Sequence, residues 1–385
     1  MTLTSNWSYP TAIRFGPGRI QELADACQAA GILRPLLVTD PGLSRLPMIT
    51  EALERLKTAG AAAAVFDRIQ SNPVGANVDD GVAELRRGGH DGVVAFGGGS
   101  ALDCGKLIAF MSGQQRPIWD FEDIGDWWKR ADEAGIAPVV AVPTTAGTGS
   151  EVGRAGVVTD ERTHTKRVIF HPKMLPKVVI CDPQLTVALP PRITAGTGMD
   201  ALAHCLEAYC APGFHPLADG IALEGMRLCK DHLTRAVKDG TDIEARAMMM
   251  AAAAMGATAF QKGLGAIHAL SHPVGSLYGT HHGTTNAVFM PYVVAFNRPA
   301  IERRLERVGA YLGLPPGFRS FLDWILTLRD EIGIPHTLAG LDMPLGEVDR
   351  VAEMAIHDPT AGGNPVPLTK EGARQILEQA AKGTV

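Results

Sequence analysis

A chain of 385 residues, 46% apolar and 20% charged, is long enough for two domains or one large one. Its net charge of −5 argues against bulk electrostatic binding to nucleic acid or an anionic membrane, and no apolar run reaches transmembrane length. The six cysteines (27, 104, 181, 205, 210 and 229) lack CxxC spacing, and the start MTLTSNWSYPTAIRF lacks a basic segment leading into an apolar one, so a cytoplasmic protein with reduced thiols is expected.

The first half alternates strand and helix signals. RPLLVTD (34–40) is an apolar run rich in β formers, and ITEALERLKTAG (49–60) has helical periodicity with a glycine stop. AAAVFD (62–67), DGVVAFGGGS (91–100), APVVAVPTT (137–145) and KVVICDPQLT (177–186) read as further strands. NVDDGVAELRRGG (77–89) and ALDCGKLIAFMSG (101–113) read as the helices among them. Such alternation predicts a doubly wound parallel sheet with helices on both faces. After Pro190 and Pro191 the texture changes to long helical patterns, which continue to EGARQILEQAAK at 371–382. The expected division is therefore an α/β domain over 1–187 and an all-α domain over 188–385. The Ala/Met-rich run 247–257 is apolar all round and predicts a buried helix.

Seven of the twelve histidines lie between His204 and His282. Asp200 and His204, in MDALAHCLEAY, are four apart and share one helix face. His268 and His272, in AIHALSH, do the same, with Pro273 following; His282 comes after glycines 275 and 279, at a loop or a helix start. A carboxylate with several neutral imidazoles suits a borderline divalent ion such as Zn²⁺ or Fe²⁺. Burying bare imidazoles together is costly unless something pairs them. The spacing leaves open which of His281 and His282 would ligate.

Gly97-Gly98-Gly99-Ser100 follows a strand and opens a helix, an arrangement that presents backbone amides to a pyrophosphate or simply makes a tight turn. VPTTAGTGSE (142–151) also follows a strand and carries the hydroxyls of Thr144, Thr145, Thr148 and Ser150. Asp40, at the end of the first strand, either caps a turn in TDPG or accepts hydrogen bonds from a ribose; the latter favours NAD over NADP, because a carboxylate repels a 2′-phosphate.

Taken in order, PTAIRFGPG, VTD, SNP, GGGSALDCGK, PTTAGTGSE, ALPPRITAGTGMDALAHCLEAY and GLGAIHALSHPVGSLYGTHHG resemble the iron-containing (group III) alcohol dehydrogenases over essentially the whole chain. The resemblance implies an N-terminal Rossmann-like domain and a C-terminal helical domain with an active site between them, and hydride transfer between a primary alcohol, or its aldehyde or semialdehyde, and NAD(H). It implies Fe²⁺ or sometimes Zn²⁺ on Asp200, His204, His268 and His282, with His272 beside the substrate rather than on the metal. It implies cofactor contacts from Asp40, Gly97, Gly98, Gly99, Ser100, Asp103, Thr144, Thr145 and Thr148, a small-molecule alcohol or aldehyde as substrate, and a homodimer. His281 stands where this family often has proline, Lys262 where a small or neutral residue is expected, and FEDIGDWWKR (121–130) falls in a variable stretch. Lys262 carries two expectations: an entrance cation that favours anionic substrates, or a helix-end lysine. Competing functional readings are a non-redox NAD- and metal-dependent enzyme of the dehydroquinate synthase-like architecture, a metal-free maleylacetate reductase-like enzyme, and a catalytically idle nucleotide-binding protein.

Overall fold

The computed structural model describes residues 11–163 and 165–385, so the reading of the first ten residues lies outside what is described. The chain forms two compact units: residues 11–145 with Gly149–Val187, and Ala188–Val385 with Ala146–Thr148.

The first unit contains strands β1 (Ala12–Phe15), β2 (Pro35–Val38), β3 (Ala64–Phe66), β4 (Gly92–Gly97), β5 (Val139–Pro143), β6 (Ala155–Asp160), β7 (Thr165–Phe170) and β8 (Val178–Cys181). Its helices are α1 (Leu23–Ala29), α2 (Pro47–Thr58), α3 (Gly75–Arg87) and α4 (Gly99–Met111). Six strands form one parallel sheet in the order β1-β8-β5-β4-β2-β3. Alternate strand residues take opposite faces. Leu37, Val94, Phe96, Val140 and Val142 pack with Leu23, Cys27, Ile49 and Leu56 of α1 and α2. On the other face α4 comes so near that a Cβ on Gly105 would lie 2.6 Å from Ala95 Cβ. Both faces are thus covered, which is why the strands read as continuous apolar runs. The antiparallel hairpin β6–β7 is a feature the sequence pattern did not reveal: its strands are only partly buried, so they lack a long apolar run.

From β2 the chain moves outward to β3, then returns to the other side of β2 as β4. This reversal is the switch point at which open α/β sheets bind ligands, at the carboxyl ends of the strands. Asp40 and the Gly97–Gly99 turn follow those two strands.

The second unit is helical: α5 (Pro191–Cys210), α6 (Pro216–Lys238), α7 (Ile243–Ala259), α8 (Ala266–Tyr278), α9 (His282–Tyr311), α10 (Phe318–Glu331), α11 (Val348–Ile356) and α12 (Lys370–Lys382). Pro191 opens α5 at a position where its missing N–H costs nothing. Helix α5 is buried from Thr194 to Cys210 and packs on α6, α7 and α9. Small residues permit this closeness: a Cβ on Gly198 would lie 2.1 Å from Leu233 Cδ1, and one on Gly256 would lie 2.9 Å from His204 Cβ. Helix α7, which carries the Ala/Met-rich run, is largely buried, and Asp242 caps its start by accepting from Ala245 N at 2.9 Å. Pro273 lies inside α8 rather than at a boundary. No helix among the described residues is long and apolar enough to cross a membrane.

Candidate functional site

Helix α5 turns Asp200 and His204 to one side, one helical turn apart. His268 stands in the first turn of α8, and His282 is the first residue of α9. The Nε2 atoms of His204, His268 and His282 lie 3.8, 3.7 and 3.5 Å from Asp200 Oδ1. Four ligands at about 2.05 Å around a tetrahedral ion stand roughly 3.3 Å from one another. The Asp200–imidazole spacing is slightly wider; Asp200, His204 and His268 present donor atoms within 4.8 Å of one another, whereas His282 Nε2 stands 3.5 Å from Asp200 Oδ1 but falls outside that close group. Asp200, His204 and His268 are all buried. The rings of His204 and His268 stack at 4.7 Å between centroids.

The electrostatics follow from this crowding. Burial alone would raise the Asp200 pKa, but the imidazoles of His204, His282 and His268 outweigh it and hold the carboxyl well below its usual range. Burial pushes His204 down to about 4, against the pull of Asp200, so its ring is neutral near pH 7 as ligation requires. At His268 burial works downward, yet Glu207 and Asp200 on either side raise it to about 9, so a metal ion binding there displaces the proton from Nε2.

The adjacent pair His281 and His282 divides its labour. His281 Nδ1 accepts from Thr284 N at 3.3 Å and caps α9, whereas His282 Nε2 faces Asp200. His272 stacks on His282, and its Nδ1 meets Asp358 Oδ2 at 2.8 Å. Asp358 also accepts from Thr360 N at 2.9 Å and Thr360 Oγ1 at 2.6 Å.

Three participants escaped sequence reasoning. Glu207 Oε2 lies 2.6 Å from His268 Nδ1, and its Oε1 accepts from Ile267 N at 2.7 Å. Asn286 Nδ2 donates to Asp200 Oδ1 at 2.7 Å and lies 3.2 Å from the Nε2 atoms of both His268 and His282. Asp358 is the third. Glu207 sits three residues beyond His204 and Asn286 four beyond His282, both on the ligand's face of the helix, so helical spacing carried a signal. Asp358 is 86 residues from His272 and carried none.

Lys262 is not an entrance cation. Its side chain is 2% exposed, with Nζ 2.5 Å from Asp219 Oδ1 and donating to Tyr209 O at 3.1 Å, while Arg304 holds Asp219 Oδ2 at 2.9 Å. It stands in the last turn of the short helix 260–262 and its ammonium meets the carbonyl of Tyr209 in the last turn of α5, so the helix-end expectation holds in position, with a buried rather than a solvated ammonium.

In the α/β unit, Gly98 caps α4, and Thr144 N donates to Gly97 O at 2.9 Å, bringing the ends of β4 and β5 together. Gly97 has φ +150°, and a Cβ there would lie 2.7 Å from Ala101 Cβ and 3.7 Å from Asp40 Oδ2. A Cβ on Gly98 would lie 3.3 Å from Thr145 Cγ2. Asp40, Gly97, Gly98, Gly99, Ser100, Thr144 and Thr145 therefore form one cluster at the switch point. Asp40 Oδ1 also caps its own turn, accepting from Gly42 N at 2.9 Å and Leu43 N at 3.0 Å. Ser100 Oγ donates to Ser71 O. The Asp103 carboxylate, one turn along α4, accepts from Ser150 Oγ at 2.5 Å and Val157 N at 3.1 Å and stands 3.3 Å from Lys106 Nζ. Thr148 belongs to the helical unit's group of residues.

Residues 10–183 match the family described as iron-containing alcohol dehydrogenase, and residues 194–381 match the C-terminal region of the same family. The chain is 40% identical over 383 residues to 4-hydroxybutyrate dehydrogenase of Cupriavidus necator, covering 97% of this chain and 98% of that one. A crystal structure of 1,3-propanediol oxidoreductase superposes with a TM-score of 0.93 at 35% identity, covering 97% of this chain and 99% of the other. Sulfoacetaldehyde reductase from Bifidobacterium kashiwanohense, solved in complex with NAD⁺, superposes with a TM-score of 0.88 at 30% identity, covering 99% of each chain. With a buried His/Asp metal-type cluster and a dinucleotide-type switch point in place, the chain belongs to the iron-containing alcohol dehydrogenase family and is an NAD-dependent oxidoreductase of that kind.

Proposed function

We propose that one Fe²⁺ ion is held by Asp200, His204, His268 and His282, and that the chain interconverts a short primary alcohol and its aldehyde or semialdehyde with NAD(H). The observation that carries this reading is the convergence of three imidazole Nε2 atoms on one buried carboxylate oxygen, at 3.5–3.8 Å. Zn²⁺ fits the same N/O donors, and the family's description favours iron. When bound, the metal supplies a Lewis acid that acidifies an alcohol hydroxyl, and the nicotinamide accepts the hydride.

The chain's own groups do the remaining work. Asp358 accepts from Nδ1–H of His272, which leaves Nε2 to take up the alcohol's proton and pass it on. The cluster of Asp40, Gly97, Gly98, Gly99, Ser100, Thr144 and Thr145 holds the dinucleotide, with Asp103 and Thr148 as further candidate contacts. Asp40 beside Gly97 supports NAD over NADP. On this reading the dinucleotide-binding domain is 1–187 and the metal- and substrate-binding domain is 188–385. The names of the relatives at 40% and 36% identity, which concern 4-hydroxybutyrate and 1,3-propanediol, support a short substrate with a second polar end, whereas relatives at 33% and 32% are named for methanol and long-chain alcohols. A homodimer is supported by the edge position of β1 and the exposure of Ile13 and Phe15 on it, and light scattering tests it. Six unpaired cysteines support a reducing, cytoplasmic setting.

The test is NADH formation by metal-stripped protein reconstituted separately with Fe²⁺ or Zn²⁺, with a panel of primary alcohols, diols and hydroxy acids. Turnover by the stripped protein would favour a maleylacetate reductase-like enzyme. Tight metal binding with no NADH from any alcohol, and no NADH consumed with any aldehyde, would favour the dehydroquinate synthase-like alternative.

A further inference from the structure

We propose that Glu207 is a positioning residue for the metal centre: its carboxylate fixes the tautomer of His268 so that Nε2 presents a lone pair to the ion. This rests on the metal-ligand reading above. A carboxylate only accepts hydrogen bonds, so the 2.6 Å contact between Glu207 Oε2 and His268 Nδ1 places a proton on Nδ1. The other ring nitrogen, Nε2, is the one that faces Asp200 Oδ1 at 3.7 Å. Carboxylate, imidazole and ion then form a chain in which the outer carboxylate orients the ring and raises its basicity.

The geometry makes Glu207 specific for this task. Its side chain is 6% exposed, so solvent screens the contact little. Its second oxygen accepts from Ile267 N at 2.7 Å, at the start of α8, so the helix that carries His268 is itself clamped to the carboxylate. One side chain thereby sets both the ring's protonation pattern and the position of the helix beneath it. Asn286 Nδ2 donates to Asp200 Oδ1 and lies 3.2 Å from the Nε2 atoms of His268 and His282, so it meets the ion-facing side of His268 while Glu207 holds the Nδ1 side.

Glu207→Gln separates the two roles. The glutamine oxygen still accepts from Ile267 N, while its NH₂ faces His268 Nδ1. An amide donor stabilises the tautomer in which Nδ1 accepts and Nε2 carries the proton, which blocks ligation at almost unchanged shape. The experiment titrates metal-stripped wild type and E207Q with Zn²⁺ in competition with a chromophoric chelator, and melts both stripped proteins. Support is a Zn²⁺ affinity lower by roughly 10–100-fold in E207Q, the usual cost of losing such a partner, at an unchanged metal-free melting temperature. Equal affinity in the two proteins overturns the proposal while leaving the metal site standing. Failure of wild type to bind one equivalent of Zn²⁺ would instead overturn the underlying reading. Should E207Q melt lower, Asn364→Ala serves as the control, because Asn364 Oδ1 accepts from the neighbouring Ala266 N at 3.1 Å without touching His268. Affinity loss confined to E207Q supports the proposal; equal loss in both variants at matched melting assigns the effect to the helix start and overturns it.

Discussion

Gly283→Ala should dismantle the proposed metal centre without altering any of its proposed ligands. Gly283 follows His282 in the first turn of α9, where that helix crosses α5. A Cβ at this position would lie 2.1 Å from Gly196 O, 2.7 Å from Gly196 C and 3.0 Å from Asp200 Cβ. The nearest ordinary C–H···O approach is about 3.3 Å, so the two helices must part by roughly 1 Å. The obstacle is backbone, which cannot rotate aside as a side chain would. Overpacking of this kind costs about 1–3 kcal/mol, and the upper end applies here. The gain in helix propensity on replacing glycine offsets at most about 1 kcal/mol. A net loss of about 2 kcal/mol lowers the melting temperature of a unit this size by roughly 4–8 °C. The same displacement carries His282 away from Asp200, while ligand distances tolerate only about 0.2 Å. Calorimetry and metal analysis of the purified variant check both effects. A variant that melts with wild type and retains one equivalent of metal would refute the reasoning.

Three further outcomes are expected. His282→Ala should abolish metal retention, whereas His281→Ala should keep the metal and lose about 1 kcal/mol through the missing cap on α9; equal metal content in the two variants would show the assignment of the pair to be wrong. Lys262→Ala should lower stability by about 1–3 kcal/mol through the lost buried pairing with Asp219, which Arg304 partly compensates. The ratio of kcat/KM for a hydroxy acid over the matching neutral alcohol should stay unchanged in that variant, and a selective loss on the acid would restore Lys262 as a substrate contact. Burial lifts the Glu151 pKa from 4.5 to about 7, against the pull of Lys106, so the folded chain binds this proton more tightly than the unfolded chain does. Stability is therefore undiminished below pH 4.5 and falls as pH rises toward 7, by a ceiling of about 3 kcal/mol at 1.36 kcal/mol per unit. Denaturant melts of wild type and Glu151→Gln across that window should diverge, and parallel curves would exclude Glu151 as the source.

How far each part was legible depended on the range of the interaction behind it. Strands β2, β4, β5 and β8 are covered on both faces, so they appear as apolar runs and could be read locally. The hairpin β6–β7 is half exposed and has no such run. Asp200 with His204, and His268 with His272, are visible as pairs because helical spacing alone puts residues four apart on one face. The burial of Lys262 was not legible because its partners, Asp219 and the carbonyl of Tyr209, lie 43 and 53 residues away.

What the sequence determined by itself is the chemistry available: a carboxylate and imidazoles in helical register, glycines and hydroxyls after strands, and motif order sufficient for the family. Tertiary structure alone decided how these groups are used. It gave His281 and His282 different contacts by starting α9 between them: His281 caps the helix, while His282 Nε2 faces Asp200. It also brought Glu207 to His268 and Asp358 to His272, 61 and 86 residues apart. Periodicity has no reach over such distances; only the packing of α5, α8 and the residues after α11 sets them.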